Sequence, residues 1–224
     1  MKRGLAGLAL VIAAALLPLR PASAASIQPG DFMRQGDKGC TLGFVVTSGA
    51  DTYFLTAAHC VDVPSEVSLV DGTVLGDAVV EGSPIADPPR PEDDWALIRV
   101  RPHLVSSVVS TVRGGSAPSG VATESETRQG DLLKHSGYGI PWEITNLTRE
   151  QRFGVLMFQD AATWASIGPD TFGDSGGPVV HVGTGKALGL VSRLCLGTCT
   201  SIGPSIEGIF ARAAAAGYPL QLRA

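Results

Sequence analysis

Three short segments of this chain carry residue types that together could perform nucleophilic catalysis. Ser175 lies between glycines in residues 173–178, which read Gly-Asp-Ser-Gly-Gly-Pro. His59 ends the run Leu-Thr-Ala-Ala-His, and Asp94 opens the run Asp-Trp-Ala-Leu-Ile. A serine hydroxyl becomes a useful nucleophile only when a base within hydrogen-bond reach removes its proton. The chain order His, Asp, Ser is one of the orders in which such triads are built.

Ser175 is the predicted nucleophile. Glycines on both sides allow a tight turn that exposes the hydroxyl and lets a substrate carbonyl approach the backbone closely. The N–H groups of Gly173 and Ser175 would then form an oxyanion hole, which stabilises the negative charge of a tetrahedral intermediate. The alternative interpretation of this segment alone is a glycine-rich turn with an idle serine.

His59 is the predicted general base, since it follows an apolar run and precedes a cysteine that could fasten its backbone. The alternative is a core histidine bonded to backbone. Asp94 is predicted to accept the Nδ1–H of His59 and so fix its tautomer. Asp93 is the rival, because the two aspartates are adjacent. The remaining histidines are interpreted as surface or structural residues: His103, His135 and His181.

The chain contains four cysteines, and an even count in a secreted protein favours two disulfides. Of the three possible pairings we favour Cys40–Cys60 and Cys195–Cys199, because each pair brackets a local loop. A zinc site made of the four thiolates, or of cysteine with His59, is the alternative. It lacks the paired C-x₂₋₄-C spacing of structural zinc sites, so no metal is predicted.

The region after residue 24 reads as many short strands broken by glycine and proline, of which the chain has 28 and 15. Residues 114–120 are rich in Gly, Ser and Pro and are interpreted as a linker between two halves. Ser205 could cap a C-terminal helix with Ile206, Phe210, Ala213 and Ala214 inside, and Gly217 could end it. These features indicate an all-β fold of two packed β-barrels with a C-terminal α-helix.

The first residues have the layout of a secretory signal peptide. Lys2 and Arg3 precede an uncharged apolar run at 5–17, and Ala22-Ser23-Ala24 forms a small-residue cleavage site. A membrane anchor is the alternative, but this run is short against the ~20 apolar residues of a spanning helix. We therefore expect cleavage after Ala24 and a secreted product with no membrane attachment and no long pro-segment.

The charge balance excludes one class of partner. Loss of residues 1–24 removes three basic residues and no acid, which moves the formal net charge from −4 to −7. An acidic protein lacks the electrostatic attraction that supports nucleic-acid binding. The predicted organisation is a signal peptide at 1–24, a first barrel at 25–113 with His59 and Asp94, the linker at 114–120, and a second barrel with the helix at 121–224.

All three segments resemble those of the trypsin/chymotrypsin-like serine peptidases. Leu55–Cys60 is similar to the family's T-A-A-H-C segment, Asp94–Leu97 to its D-[IL]-A-L segment, and Gly173–Pro178 matches G-D-S-G-G-P fully. Residues 39–44, leading to Tyr53-Phe54-Leu55, are similar to the bacterial streptogrisin-type branch. The resemblance covers about 39–217. It implies two antiparallel six-stranded barrels with the site between them, peptide hydrolysis through an acyl-enzyme, and no cofactor.

Two departures from the family pattern lead to further expectations. The animal enzymes begin with an Ile-Val-Gly-Gly-like terminus whose amine pairs with the aspartate equivalent to Asp174, and no such segment is present. Asp174 is therefore predicted to pair with an arginine, as in the bacterial branch, with Arg152 or Arg193 as candidates. The Cys40–Cys60 bridge matches the family's bridge beside the histidine.

Specificity residues are less clear from the resemblance. Pro169 falls where trypsin-like enzymes keep the acid that binds Lys or Arg, and a shift of one residue would bring Asp170 there. Ser192 begins the segment that replaces the usual Ser-Trp-Gly wall, and Leu194 stands where glycine is usual. A leucine there would narrow the pocket and favour a small or atypical residue at the cleavage position.

The combined prediction is a monomeric, secreted serine endopeptidase that acts on polypeptide substrates without a cofactor. Two alternatives stay open: a non-catalytic binding or adhesion relative with an obstructed specificity pocket, and an esterase that uses the same triad. A covalent serine probe would separate the binding protein from the enzymes, and peptide against ester substrates would separate the two enzymes.

Overall fold

The computed structural model describes residues 26–82, 90–139, 152–195 and 197–224. The predicted leader and its cleavage site lie outside these residues. The described residues form two antiparallel sheets and one α-helix. Within them, no helix is long and apolar enough to cross a membrane.

The first sheet has eight strands in the order β15-β3-β4-β7-β6-β5-β1-β2. Their bounds are β1 Phe32–Gln35, β2 Lys38–Thr41, β3 Val45–Ser48, β4 Asp51–Thr56, β5 Ser65–Leu69, β6 Val74–Glu81, β7 Ala96–Val100 and β15 Gln221–Leu222. The second sheet has seven strands in the order β12-β11-β8-β9-β10-β14-β13. Their bounds are β8 Leu132–His135, β9 Arg152–Gln159, β10 Thr163–Ile167, β11 Pro178–His181, β12 Lys186–Leu190, β13 Arg193–Leu194 and β14 Ser201–Pro204.

The mostly β architecture and the terminal helix confirm the predicted fold class. The sheets contain eight and seven strands where six each were predicted, and closure of either sheet into a barrel stays a prediction. The extra strands are short ones, such as β13 and β15, whose two residues carry no readable periodicity. Strand β15 pairs with β3 in the first sheet, although residues 121–224 were all assigned to the second half.

The central strands of the first sheet are buried on both faces, which explains their nearly continuous apolar sequences. Along β4, Phe54 enters the core inside the first sheet, while Tyr53 and Leu55 enter a second core shared with the other half. That shared core also contains Trp95 from the first half and Leu190 from the second. Because both halves contribute to one core, the loops that meet at their interface are held in place relative to one another.

The helix α1, Ile206–Ala215, begins and ends where the sequence predicts. Ser205 is the N-cap, and its Oγ accepts a hydrogen bond from the N–H of Gly208 at 3.0 Å. The inner stripe contains Ile206, Ile209 and Ala213. Ala214 is exposed, so its predicted place in the stripe is wrong, because the i, i+3, i+7 spacing points Ile209 inward instead.

Replacing Ser205 with alanine should lower the free energy of unfolding by about 1–2 kcal/mol. The change removes the cap and also the bond that the Ser205 hydroxyl donates to the carbonyl of Ala161 at 2.8 Å. Urea denaturation would measure the effect, with Ser116→Ala, at an exposed serine, as the matched control. Equal midpoints for the two variants would contradict this role of the cap.

Candidate active site

Strand pairing brings the predicted base and its orienting aspartate together. His59 follows β4 in a single 3₁₀ turn, Ala58–Cys60, and Asp94 precedes β7 at the end of another, Pro91–Asp93. Strands β4 and β7 are antiparallel neighbours, with Thr56 opposite Ala96, so the end of one strand lies beside the start of the other. Two residues 35 positions apart in sequence therefore meet at one edge.

Asp94 holds His59 at two points. Its Oδ2 lies 2.8 Å from His59 Nδ1, and its Oδ1 accepts the backbone N–H of His59 at 3.0 Å. The carboxylate is almost fully buried, whereas the His59 side chain is 41% exposed and open to a substrate. Asp93, the rival in the sequence, instead forms an ion pair with Arg212 at 3.3 Å.

The surroundings keep Asp94 ionised. Burial by itself would raise the pKa of this carboxyl, but the hydrogen bonds and charge of His59 and the hydroxyl of Ser192 outweigh burial, and the pKa lies below its ordinary value. An ionised carboxylate at Nδ1 leaves Nε2 as the ring nitrogen that can accept a proton. The arrangement is therefore that of a general base with its tautomer fixed.

Ser175 lies in the turn between Thr171 and β11, and its carbonyl is 3.8 Å from the Sγ of Cys60, the residue after His59. Its carbonyl accepts the N–H of Thr41 at 2.9 Å, and Gly176 N–H donates to the carbonyl of Val191 at 2.7 Å. Gly176 has φ +83°, and a Cβ there would lie 2.2 Å from the hydroxyl of Thr56, so only glycine fits this turn. The nucleophile turn is thereby fastened between β2 and the end of β12.

The Ser175 hydroxyl donates a long hydrogen bond, 3.4 Å, to the carbonyl of Ser192. In the described part of the chain, no hydrogen bond joins Ser175 to His59. Hydrogen bonds between catalytic groups are often long or misaligned without substrate. As the predicted nucleophile, the hydroxyl would have to turn from the Ser192 carbonyl toward His59, and a 3.4 Å bond opposes that rotation only weakly.

The predicted oxyanion donors are free to bind a ligand. Neither Gly173 N–H nor Ser175 N–H donates a hydrogen bond to another described residue, whereas the Gly173 carbonyl accepts the Thr41 hydroxyl at 2.8 Å. Gly173 has φ +98°, a conformation that favours glycine. Two free backbone donors beside a serine are the components of an oxyanion hole.

Asp174 is fully buried and forms a two-pronged ion pair with Arg152. The Nη1–Oδ2 and Nη2–Oδ1 distances are both 2.6 Å. The carboxylate also accepts the N–H of Gly139 and the N–H of Thr171, each at 2.8 Å. The predicted arginine partner is thus confirmed, and of the two candidates it is Arg152.

Ser192 contacts both Asp94 and Ser175, which sequence reasoning missed. It was assigned to the specificity pocket, but its buried hydroxyl donates to Asp94 Oδ2 and its carbonyl receives the Ser175 hydroxyl. No local motif announces this role, because Ser192 reaches Asp94 across 98 residues of sequence. The antiparallel pairing of β11 with β12 puts it there, since Pro178 lies opposite Leu190.

Replacing Ser192 with alanine should lower kcat about 10- to 100-fold, because hydrogen bonds to charged groups contribute about 1.5–3 kcal/mol. KM should change little, since the lost bond orients Asp94 rather than substrate. Steady-state kinetics would check this, with Ser110→Ala as a control at another buried serine. An unchanged kcat in Ser192→Ala would show that His59 alone orients Asp94.

The other predicted pocket residues are placed as follows. The Asp170 side chain is completely buried and lies 2.9 Å from His135. Leu194 is on β13 and is 41% exposed, and Phe172, directly before Gly173, is 73% exposed. Exposed apolar side chains beside a nucleophile can contact a substrate, but the assignment of Asp170, Ser192 and Leu194 to a specificity pocket stays a prediction.

Both disulfides form as predicted, Cys40–Cys60 with a Cα–Cα distance of 6.1 Å and Cys195–Cys199 with 5.7 Å. The first joins β2 to the turn that carries His59. In the described residues, the one group of potential metal ligands is Cys40, His59 and Cys60. Both cysteines are in the disulfide and cannot act as thiolate ligands.

Comparisons with known proteins agree on the architecture. The family model described as "Trypsin" matches residues 25–216. Streptogrisin-D of Streptomyces griseus is 31% identical over 188 residues, which is 79% of this chain and 43% of that protein. Serine protease 1 of Streptomyces fradiae is 30% identical over 178 residues, 75% of this chain and 46% of that one. The chain thus spans about half the length of these two relatives.

A shorter relative and two solved structures extend the comparison. Glutamyl endopeptidase 2 of Streptomyces griseus is 28% identical over 74% of this chain and 85% of its own length. Protease A of Thermobifida fusca superimposes with a TM-score of 0.62 at 23% identity, over 88% of this chain and 98% of that chain. A glutamic acid-specific serine protease is described as using a histidine triad in substrate binding. It has the same TM-score and sequence identity, over 88% of this chain and 100% of that chain. These structures share the fold.

Proposed function

The chain belongs to the trypsin family, and from this premise we propose that it is a secreted serine endopeptidase that cleaves polypeptides through an acyl-enzyme. The observation that carries the proposal is the pair of bonds from Asp94 to His59, which leaves Nε2 as the ring nitrogen that can accept a proton. A binding protein would have no need for a buried carboxylate aimed at an exposed imidazole.

In the proposed reaction, Ser175 Oγ attacks the scissile carbonyl carbon while His59 Nε2 takes the hydroxyl proton. Asp94 stabilises the imidazolium that forms. The negative oxygen of the tetrahedral intermediate accepts hydrogen bonds from the N–H groups of Gly173 and Ser175. His59 then gives its proton to the leaving amine, and a water molecule attacks the acyl-enzyme by the same steps. The mechanism requires no cofactor.

The proposed substrate is a polypeptide with a small or atypical residue at the cleavage position. Leu194 supports this, because a leucine that is 41% exposed stands where the family usually has glycine. Two similar proteins carry glutamyl or glutamic acid specificity in their names. In this chain Asp170 is a buried anion with His135 as its partner. We therefore assign no charged preference.

The proposal also includes export by the signal peptide at 1–24, action as a monomer, and two halves at 25–113 and 121–224 joined by residues 114–120. Secretion is supported by the charge and length pattern of the first 24 residues and by two disulfides, which persist in oxidising compartments.

The test is intact-mass analysis of the secreted protein before and after a fluorophosphonate probe. We expect one label, mapped to Ser175 and lost in His59→Ala. The mass without label should be that of a chain that begins at Ala25 with both disulfides formed. A folded protein that takes no label would overturn the enzyme proposal in favour of a binding protein. Labelling with turnover of esters but not peptides would instead support an esterase.

A further inference from the structure

A second buried ion pair lies beside the Arg152–Asp174 pair. His135 Nδ1 is 2.9 Å from Asp170 Oδ2, and both side chains are 0% exposed. His135 on β8 lies opposite Arg152 on β9 in the strand register. His135 and Arg152 are thus cross-strand neighbours. Their partners, Asp170 and Asp174, are the first and last residues of the segment 170–174. That segment contains Gly173 and leads directly into Ser175.

Together the two pairs hold both ends of this segment. Arg152 binds Asp174 at its end and also donates Nη1–H to the carbonyl of Pro169, at 3.1 Å, just before its beginning. His135 meets Asp170, its first residue. The His135 ring is itself fixed, because it contacts the edge of Trp164 at a centroid distance of 5.6 Å and packs against the backbone at Gly154 and Gly168.

The polar groups around His135 are costly to bury. In the described part of the chain, nine buried side-chain nitrogen or oxygen atoms lack a hydrogen-bond partner, and seven of them belong to one cluster of residues: His135, Arg152, Ser166, Asp170 and Ser201. The His135–Asp170 contact is a close approach without the alignment of a hydrogen bond. Burying polar groups is unfavourable unless they are paired, so a buried polar cluster of this kind points to a role.

Asp170 is ionised in this cluster. Burial by itself would raise its pKa, but the charge and contact of His135, followed by Ser201 and the charge of Arg152, outweigh burial and hold the pKa below its ordinary value. The contact with His135, at 2.9 Å, holds this buried carboxylate in position. It therefore anchors the segment that it begins.

We propose that His135 is a positioning residue for the oxyanion hole. Through Asp170 it fixes the start of the segment 170–174, while Arg152 fixes the end, and the two holds together place Gly173 N–H for the developing oxyanion. This inference rests on the proposed function. It assigns a role to a histidine that the sequence alone indicates to be structural.

The test compares His135→Leu with His181→Leu. His181 is a matched control, because it is also a buried histidine of the same sheet with an aspartate partner, Asp131, at 3.0 Å. Among the described residues, the hydrogen bonds of the His181 ring go to Asp131 and Thr184 and not to residues 170–174. In His135→Leu we expect kcat per titrated active site to fall about 10- to 100-fold with KM within about threefold, since loss of one oxyanion donor costs about 100- to 1000-fold. In His181→Leu both constants should stay within about threefold.

Active sites are counted by fluorophosphonate labelling, so that unfolded protein does not enter kcat. His135→Gln, which keeps a polar side-chain N–H group at this position, should recover most of the lost kcat, and recovery of this kind is not expected of a role in stability alone. Equal kcat per site in wild type, His135→Leu and His181→Leu would overturn the proposal.

A second readout does not depend on turnover. Amide hydrogen exchange over residues 170–175 should be faster in His135→Leu than in wild type and unchanged in His181→Leu. If wild type takes no label, the proposed function fails. Amide exchange would still show whether His135 restrains residues 170–175. Unchanged exchange in His135→Leu would then overturn the positioning role by itself.

Discussion

Replacing Ser175 with alanine is expected to lower kcat about a million-fold while leaving the free energy of unfolding nearly unchanged. The large kinetic effect follows from loss of the hydroxyl that is proposed to form the acyl-enzyme. The small effect on stability follows from the contacts of the hydroxyl, which makes one long hydrogen bond of 3.4 Å to Ser192. Steady-state kinetics and urea denaturation of the same preparations would measure the two effects separately.

His59→Ala should lose kcat to a similar extent, and the double variant should lose little more than either single variant. Members of a triad act as one unit, so their individual losses do not add. Ser116→Ala, at an exposed serine, is the control and should keep full activity. Full activity in Ser175→Ala would refute the mechanism. Additive losses would show that Ser175 and His59 act in separate steps.

The proposed catalytic residues could be selected from the sequence because each stands in a local pattern. Ser175 is marked by its glycines, and His59 by the apolar run and the cysteine around it. Asp94 could be preferred over Asp93 from its place at the start of an apolar strand. The structure supplies the reason that these patterns meet: β4 and β7 are antiparallel neighbours, so His59 and Asp94 lie at the same edge.

The supporting residues were not predictable because their contacts depend on pairing between distant strands. Ser192 reaches Asp94 only through the register of β11 with β12. His135 meets Asp170 across the fold, and no feature of its local sequence separates it from a surface histidine. The pairing of β15 with β3 likewise joins the last residues of the chain to the first sheet, and two-residue strands carry no period of their own.

Replacing Arg152 with methionine should lower the free energy of unfolding by about 3–5 kcal/mol, the largest stability effect predicted for this chain. Methionine fills a similar volume but leaves the Asp174 carboxylate, which is 0% exposed, as an unpaired buried charge. Burial favours the neutral form of the guanidinium, yet Asp174 and Asp170 outweigh it and raise the pKa of Arg152, so the arginine remains charged. Urea denaturation would measure the loss, with Arg34→Met at an exposed arginine as control.

The double variant Arg152→Met/Asp174→Asn distinguishes the loss of an attraction from the cost of an isolated charge. If the damage in Arg152→Met comes from the stranded carboxylate, neutralising it should restore more than half of the lost stability. Activity should stay low in the double variant, because the arginine also holds the Pro169 carbonyl and so shapes the loop that carries Gly173. Arg152→Lys should be intermediate, since one ammonium cannot reproduce two parallel bonds. A stability in Arg152→Met within 1 kcal/mol of wild type would show that the bonds from Gly139 and Thr171 satisfy Asp174 without its counter-charge.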